Sequence, residues 1–333
     1  MKLRSVSEIL PNTRVVLRMD LDVAEGDNSR LIKSIPTIKS LLEKECKIAI
    51  IGHKGRPDGR DETLSLKPVY LELMLLLEPN GENLIESVFI EEINDKEKID
   101  QALVFNQIVF LENLRFWKGE ENNDPDFLKG LVEVSNFYVD DAFAVAHRKH
   151  RSIMLYRSLP GFYGKSFIEE AEKIIKIVEN PEKPLIIILG GAKEDKLKYL
   201  EDLEKMADNV LIGGKLGSYE LRVTSEKIKV AELREDGLDL SDEDISKFKE
   251  IISSSKTIIW AGAMGMFEDE NAKRGTEEIA KAVAESSAYK IIAGGDTGAS
   301  IRELGLEDKI DYVCSGGGVM LELLTKGKLP AWE

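Results

Sequence analysis

Cysteine, histidine and long apolar runs are all scarce in this 333-residue chain, and each scarcity narrows what it can be. The two cysteines, Cys46 and Cys314, stand far apart with no CxxC context. They are expected as two reduced, buried thiols in a cytoplasmic protein. No stretch approaches the roughly 18 apolar residues a membrane span needs. The best, Leu185 to Leu189, is only of strand length. The first ten residues, MKLRSVSEIL, hold no apolar h-region, so nothing points to secretion. Positive charge is in deficit: 46 Lys+Arg face 61 Asp+Glu, for a net charge of −15. That balance argues against nucleic-acid partners and anionic membrane surfaces, which favour a cationic face, but leaves room for a local anion site. Neither GxxxxGK[ST] nor GxGxxG occurs, so neither familiar phosphate-binding fingerprint applies. What is present, 43% hydrophobic residues, fits a folded chain with two cores of about 150 residues each.

Short β-branched runs recur, each ending in glycine, aspartate or a basic residue. In the first half they are Thr13–Asp20, Lys47–Gly55, Gln107–Arg115 and Phe137–Phe143. In the second they are Leu185–Lys193, Asn209–Lys215, Thr257–Gly265, Tyr289–Thr297 and Tyr312–Gly318. Runs without polar alternation read as parallel strands buried on both faces. Amphipathic segments lie between them. Ile35–Glu45 has Pro36 suited to a first turn, and Asp242–Ile252 is preceded by Ser241, which with Asp244 reads as a capping box. The alternation predicts an α/β fold with parallel sheets, whose ligands bind beyond the carboxyl ends of the strands. Phe167–Asn180 has helical apolar spacing and runs into Pro181–Pro184, a break that marks the domain boundary.

The two halves end their strands differently. In the first, Arg30, His53, Arg56, Arg115, His147, Arg148 and His150 fall in loops after strands, with Asp20 and Asp22 on the same edge. Guanidinium groups bind carboxylate and phosphate bidentately, so several on one sheet edge predict an anion pocket. In the second, GGAK, IGGK, AGAMG, AGGDT and SGGG let backbone N–H groups approach a polyphosphate, and Asp296 stands where a carboxylate could hold Mg²⁺ against phosphate oxygens. With no nucleophile–base pair evident, two anionic substrates and direct phosphoryl transfer fit best.

The residues that carry this reading resemble the phosphoglycerate kinase family over nearly the whole chain. RVVLRMDLDV, GHKGRPDG, LENLRFWKGEENND, YVDDAFAVAHRKHRS, ILGGAK followed by DK, IWAGAMGMFE, GGDT and SGGG occur in that family's order. The resemblance implies two Rossmann-like three-layer α/β/α domains and a hinge that closes on reaction. It implies a monomer that transfers the acyl phosphate of 1,3-bisphosphoglycerate to Mg-ADP in glycolysis. Residues 1–165 would bind phosphoglycerate, 166–180 would form the connecting helix, 181–320 would bind nucleotide, and 321–333 would return to the first domain. Asp20, Asp22, Arg30, His53, Arg56, Arg115 and Arg148 would hold the phosphoglycerate, with Arg30 also facing the migrating group. Gly191, Lys193, Lys196, Gly213, Gly214, Glu268, Gly294, Gly295, Asp296 and Thr297 would serve ATP or ADP, with Asp296 on the metal and Lys193 and Lys196 catalytic beside Arg30.

The chain departs from the family's pattern at several positions. Asp22 and Asp140 replace Asn, Ala24 a Pro, and Ala144 and Val145 a Gly and a Thr. In the second half Lys215 replaces the third Gly of a triplet, and Ala261 and Ala263 replace an Asn and a Pro. GAK-E-DK is one residue shorter than GAKxxDK, which on a helix turns the second lysine by ~100° away from its phosphate unless the turn re-registers. Several tens of residues are missing between Gly217 and Val230. Two alternatives stay open at this point: a non-catalytic relative that binds phosphoglycerate but nucleotide poorly, and an enzyme for another small phosphorylated acid.

Overall fold

The computed structural model describes residues 3–81, 84–219 and 225–332. The chain forms two compact units, one of residues 1–172 with 329–333, the other of residues 173–328. The first holds β1 (Arg14–Met19), β2 (Lys47–Ile51), β3 (Ser87–Ile90), β4 (Ile108–Leu111), β5 (Phe137–Asp141) and β6 (Gly161–Tyr163) in the order β3-β4-β2-β1-β5-β6. Every pairing is parallel. The second holds β7 (Leu185–Leu189), β8 (Asn209–Ile212), β9 (Ile228–Val230), β10 (Thr257–Ala261), β11 (Tyr289–Ala293) and β12 (Tyr312–Cys314), also all parallel, in the order β12-β11-β10-β7-β8-β9. This is the α/β architecture with parallel sheets that the alternation of runs predicts, with six strands in each sheet.

Burial explains the apolar runs. All five side chains of β7 are fully buried, each worth on the order of 2 kcal/mol. In the second sheet the chain runs outward from β7 to β9, then crosses to β10 and runs the other way. The switch point therefore lies between β7 and β10, and in the first sheet between β1 and β5. Crevices at such points are where ligands of open α/β sheets bind.

The structure corrects several local expectations. Pro36 does not begin its helix, which spans Ser29–Leu42 and carries the proline in its interior. The Asp27 side chain starts the helix early by accepting from Ser29 N–H (3.0 Å). Burial of Leu31, Ile38 and Leu41 offsets the roughly 3 kcal/mol an interior proline costs. Ser241 does cap the helix Asp242–Ser253, accepting from Asp244 N–H at 3.2 Å. The reciprocal arm of the box is absent: Ser241 N–H goes to Glu232 O, and the Asp244 carboxylate takes Glu232 N–H instead. β3, β6 and β9, all at sheet edges, were not expected. Among the described residues no α-helix joins β8 to β9.

The helix Lys165–Glu179 starts on a buried carboxylate. Asp141, at the end of β5, accepts from Phe167 N–H (3.0 Å) beside the hydroxyls of Thr37, Ser34 and Ser166, and burial pushes its pKa up to about 7. At the far end of the chain Tyr163 Oη donates to Ala331 O (2.6 Å), and Trp332 lies 6.3 Å from Phe167, ring to ring. Cys46 and Cys314 are both buried and unbridged.

Candidate functional site

The carboxyl edge of the first sheet gathers the basic residues. Asp20 follows β1 and accepts from Arg30 Nη1 at 3.0 Å, which leaves most of that guanidinium's donors free. His53 follows β2 and is 2% exposed. Its neighbour Gly52 has no space for a side chain, since a Cβ would lie 2.6 Å from Leu21. Asp22 accepts from Gly55 N–H (2.9 Å), and Gly55 O accepts from Arg115 Nη1. Arg115 Nε stands 3.5 Å from Glu121. The added charge of Asp22 is thus met by backbone N–H and by the nearby Arg115 and Arg148.

Asn113, fully buried, shapes this loop. Its Oδ1 accepts from Lys54 N–H (3.2 Å) and Arg115 N–H (3.1 Å), and its Nδ2 donates to Lys54 O (2.8 Å) and Leu64 O (2.9 Å). The side chains of Arg56, exposed, and Arg148, half-buried, make no hydrogen bond or ion pair with the described residues. Burial and then the charge of Arg148 lower the pKa of Arg115 to about 10; burial and then Arg56 lower that of Arg148. Neighbouring cations that repel one another without a full set of acids form a candidate site for an anion with more than one charge.

Beneath them lies a residue that the sequence reading passed over. Arg18 sits inside β1, fully buried, in register with Asp140 on β5. Its Nε donates to Ser152 Oγ (2.9 Å), whose hydroxyl donates to Glu120 Oε1 (2.6 Å), and Ser152 N–H reaches Glu120 Oε2 (2.9 Å). Burial raises the pKa of both Glu120 and Asp140, and Arg18 opposes the rise. The signal was an arginine inside an otherwise apolar strand, RVVLRM. His150, 3.8 Å from Glu120, is lowered to about 3 by burial and the arginines.

At the carboxyl edge of the second sheet three turns are knitted backbone to backbone. Gly191 N–H donates to Ala263 O (2.6 Å), Gly214 N–H to Met264 O (2.8 Å) and Leu216 N–H to Gly191 O (3.2 Å). Gly214 (φ +59°) admits no Cβ, which would lie 2.9 Å from Ala263 O. Thr297, fully buried, accepts from Gly262 N–H (2.8 Å) and ties in the turn after β11.

Lys196 occupies the switch point, donating to Gly190 O at the end of β7 (2.7 Å) and to Ala261 O at the end of β10 (3.0 Å). The ~100° turn expected on an α-helix does not apply here, because Glu194–Tyr199 is a 3-10 helix with the extended Lys193 as its N-cap. Lys196 N–H bonds Lys193 O (3.3 Å). Burial, then the charge of Lys193, lowers the pKa of Lys196 to about 8, with Asp195 and Asp296 opposing.

Lys193 is exposed, as are Lys215, Glu268, Gly295 and Asp296, whose side chains make no hydrogen bond or ion pair with the described residues. Gly294 (φ +101°) caps the helix Gly295–Glu303, which places Asp296 in its first turn. The structure thus brings Gly191, Gly213, Gly214, Lys193, Lys196, Asp296 and Thr297 to one sheet edge. Glu268 lies beyond the turn after β10. Among the described residues no three His, Cys, Asp or Glu side chains cluster, so a divalent ion here fits only as one held largely by phosphate oxygens with a single carboxylate, Asp296.

A family model described as phosphoglycerate kinase matches residues 6–230 and 218–328. Its two segments meet where the missing tens of residues are expected. The phosphoglycerate kinase of Dictyoglomus turgidum is 35% identical over 384 aligned positions, which cover 97% of this chain and 95% of that one. The alignment exceeds the 333 residues of the chain, so the relative carries residues that this chain lacks. The solved phosphoglycerate kinase of Coxiella burnetii is 28% identical with a TM-score of 0.76, over 99% of this chain and 98% of that one. That of Pyrococcus horikoshii is 26% identical with a TM-score of 0.79, over 99% and 97%.

Proposed function

This chain belongs to the phosphoglycerate kinase family, and from that premise we propose that it transfers the acyl phosphate of 1,3-bisphosphoglycerate to ADP, reversibly, giving 3-phosphoglycerate and ATP. The observation that carries the reading is the arginine set of the first sheet, in which the side chains of Arg56 and Arg148 make no ion pair with the described residues and, with Arg115, repel one another. An acid bearing both carboxylate and phosphate supplies the missing charge. Asp20, Asp22 and His53 line the same edge and bind and orient it; Arg30 stabilises charge on the group in flight. On the second unit Lys193 and Lys196 neutralise the nucleotide phosphates, while Gly191, Gly213, Gly214, Gly294 and Gly295 let them approach backbone N–H groups, and Thr297 fixes the turn beside them. Glu268 borders the nucleotide. Magnesium, held by Asp296 with the phosphates, supplies charge neutralisation when bound. Transfer is direct, with no covalent intermediate on the protein. The hinge closure expected of the family excludes water that would hydrolyse the acyl phosphate.

The enzyme is read as a cytoplasmic monomer. Among the described residues no helix is long and apolar enough to cross a membrane. A coupled assay with 3-phosphoglycerate, ATP and Mg²⁺ tests the function, and turnover is expected. Absence of turnover, with calorimetric binding of 3-phosphoglycerate but not of ADP, would replace this reading with that of a non-catalytic relative.

A further inference from the structure

A buried relay runs under the arginine cluster and ends on a histidine. Glu120, Ser152 and Arg18 are all fully buried, and they are joined in sequence by hydrogen bonds of 2.6 Å (Ser152 Oγ to Glu120 Oε1) and 2.9 Å (Arg18 Nε to Ser152 Oγ). The other arm of the guanidinium, Nη2, lies 3.4 Å from His53 Nδ1. A guanidinium carries only donors, so in this contact Nδ1 must accept and cannot hold a proton. A neutral imidazole that accepts at Nδ1 carries its proton on Nε2.

We propose that Arg18 fixes His53 as the neutral, Nε2-protonated tautomer, that Ser152 and Glu120 hold Arg18 in place to do so, and that His53 meets an anionic substrate oxygen as an uncharged hydrogen-bond donor. This rests on the phosphoglycerate reading for the identity of the anion, but the tautomer does not depend on it.

The surroundings of His53 agree. Burial first, then Arg18, Arg115, Arg148 and His150, hold its pKa well below the usual imidazole range. The carboxylates near Arg18, Glu120 and Asp140, are themselves biased by burial toward their neutral forms, so they do little to restore a charged imidazole. His53 Nε2 has no hydrogen-bond partner among the described residues. The arrangement separates two tasks. Arginines supply charge to the site, and the histidine supplies direction, because a donor with one fixed N–H distinguishes an oxygen placed on its axis from one beside it. Arg18 and Glu120 act through His53 and are positioning residues.

Nitrogen-15 NMR of the histidines in the full chain, with His53 assigned by its loss in His53→Gln, tests the proposal. The expected spectrum shows His53 neutral and Nε2-protonated at about pH 6.5, where an ordinary imidazole is about half charged. A ring that titrates near pH 6.5, or carries its proton on Nδ1, would overturn it. Arg18→Met should free Nδ1 to carry the proton, so that both neutral tautomers appear. Ser152→Ala, milder should that variant not fold, should give a mixture of tautomers and raise KM for 3-phosphoglycerate about tenfold with kcat little changed. A Ser152→Ala spectrum identical to the parent's would also count against the relay. Calorimetry on the same samples keeps the two readings apart: the expected tautomer with no heat on adding 3-phosphoglycerate would sink the functional reading and leave the tautomer assignment standing.

Discussion

The two sheets present candidate anion sites at the same topological place, yet build them from opposite materials. The first ends its strands in guanidinium groups and sets acids near its arginines: Glu120 and Asp140 near Arg18, Asp20 on Arg30. The second ends its strands in glycine turns that lock together through backbone bonds, with lysines for charge. A site made of side-chain charge responds most to loss of charge. A site made of close backbone approach responds to a single methyl group.

That contrast can be broken at either end. Arg30→Ala removes a charged donor without disturbing a core, so kcat should fall by about 10²–10³-fold or more with thermal stability nearly unchanged. Unchanged activity in steady-state assays would remove Arg30 from the site. Gly262→Ala tests the other material. Gly262 sits at φ +104°, and a Cβ there would strike Gly190 O and Lys196 Nζ. The strain should cost about 1–3 kcal/mol by denaturant unfolding. KM for ADP should rise about tenfold while that for 3-phosphoglycerate holds. Equal rises in both would mean that the two sites are not separable in this way.

The smallest effect on activity concerns the buried acid that starts the helix Lys165–Glu179. Folded Asp141 keeps its proton up to about pH 7, whereas the unfolded chain releases it near about 3.9. Its contribution to stability is therefore complete below about pH 4 and is lost as pH rises toward 7. Asn is neutral throughout and keeps the acceptor for Phe167 N–H. Asp141→Asn should accordingly match the parent near pH 4 and exceed it at pH 8 by up to about 4 kcal/mol, read by urea unfolding. A variant less stable at pH 8 would contradict the assigned protonation.

Much of the fold is legible in the sequence because continuous Val/Ile/Leu runs have little use outside a doubly covered parallel sheet. β1, β2, β4, β5, β7, β8, β10, β11 and β12 announce themselves in this way. β3, β6 and β9 do not: SVFI, GFY and IKV are short, lie at sheet edges and lack a fully apolar run. Pro36 misled for a related reason. Its local preference for a first turn is weaker than the tertiary burial of the helix around it. In the site, the residues in loops after strands were legible because charge there has few structural uses. Arg18, Glu120, Ser152 and Asn113 were not, since three of them act beneath the surface and the fourth shapes a loop from within. Lys196 shows the limit of spacing arguments: a rotation worked out for an α-helix does not apply to a residue on a 3-10 turn.

The account stands or falls on the two sites binding different anions by different means. Calorimetry of the full chain with 3-phosphoglycerate and with ADP, in the parent, Arg148→Ala and Gly262→Ala, tests this most directly. The account predicts that Arg148→Ala loses most of the heat with 3-phosphoglycerate and keeps that with ADP, and that Gly262→Ala does the reverse. Retention of 3-phosphoglycerate binding in Arg148→Ala, or its loss in Gly262→Ala, would contradict it.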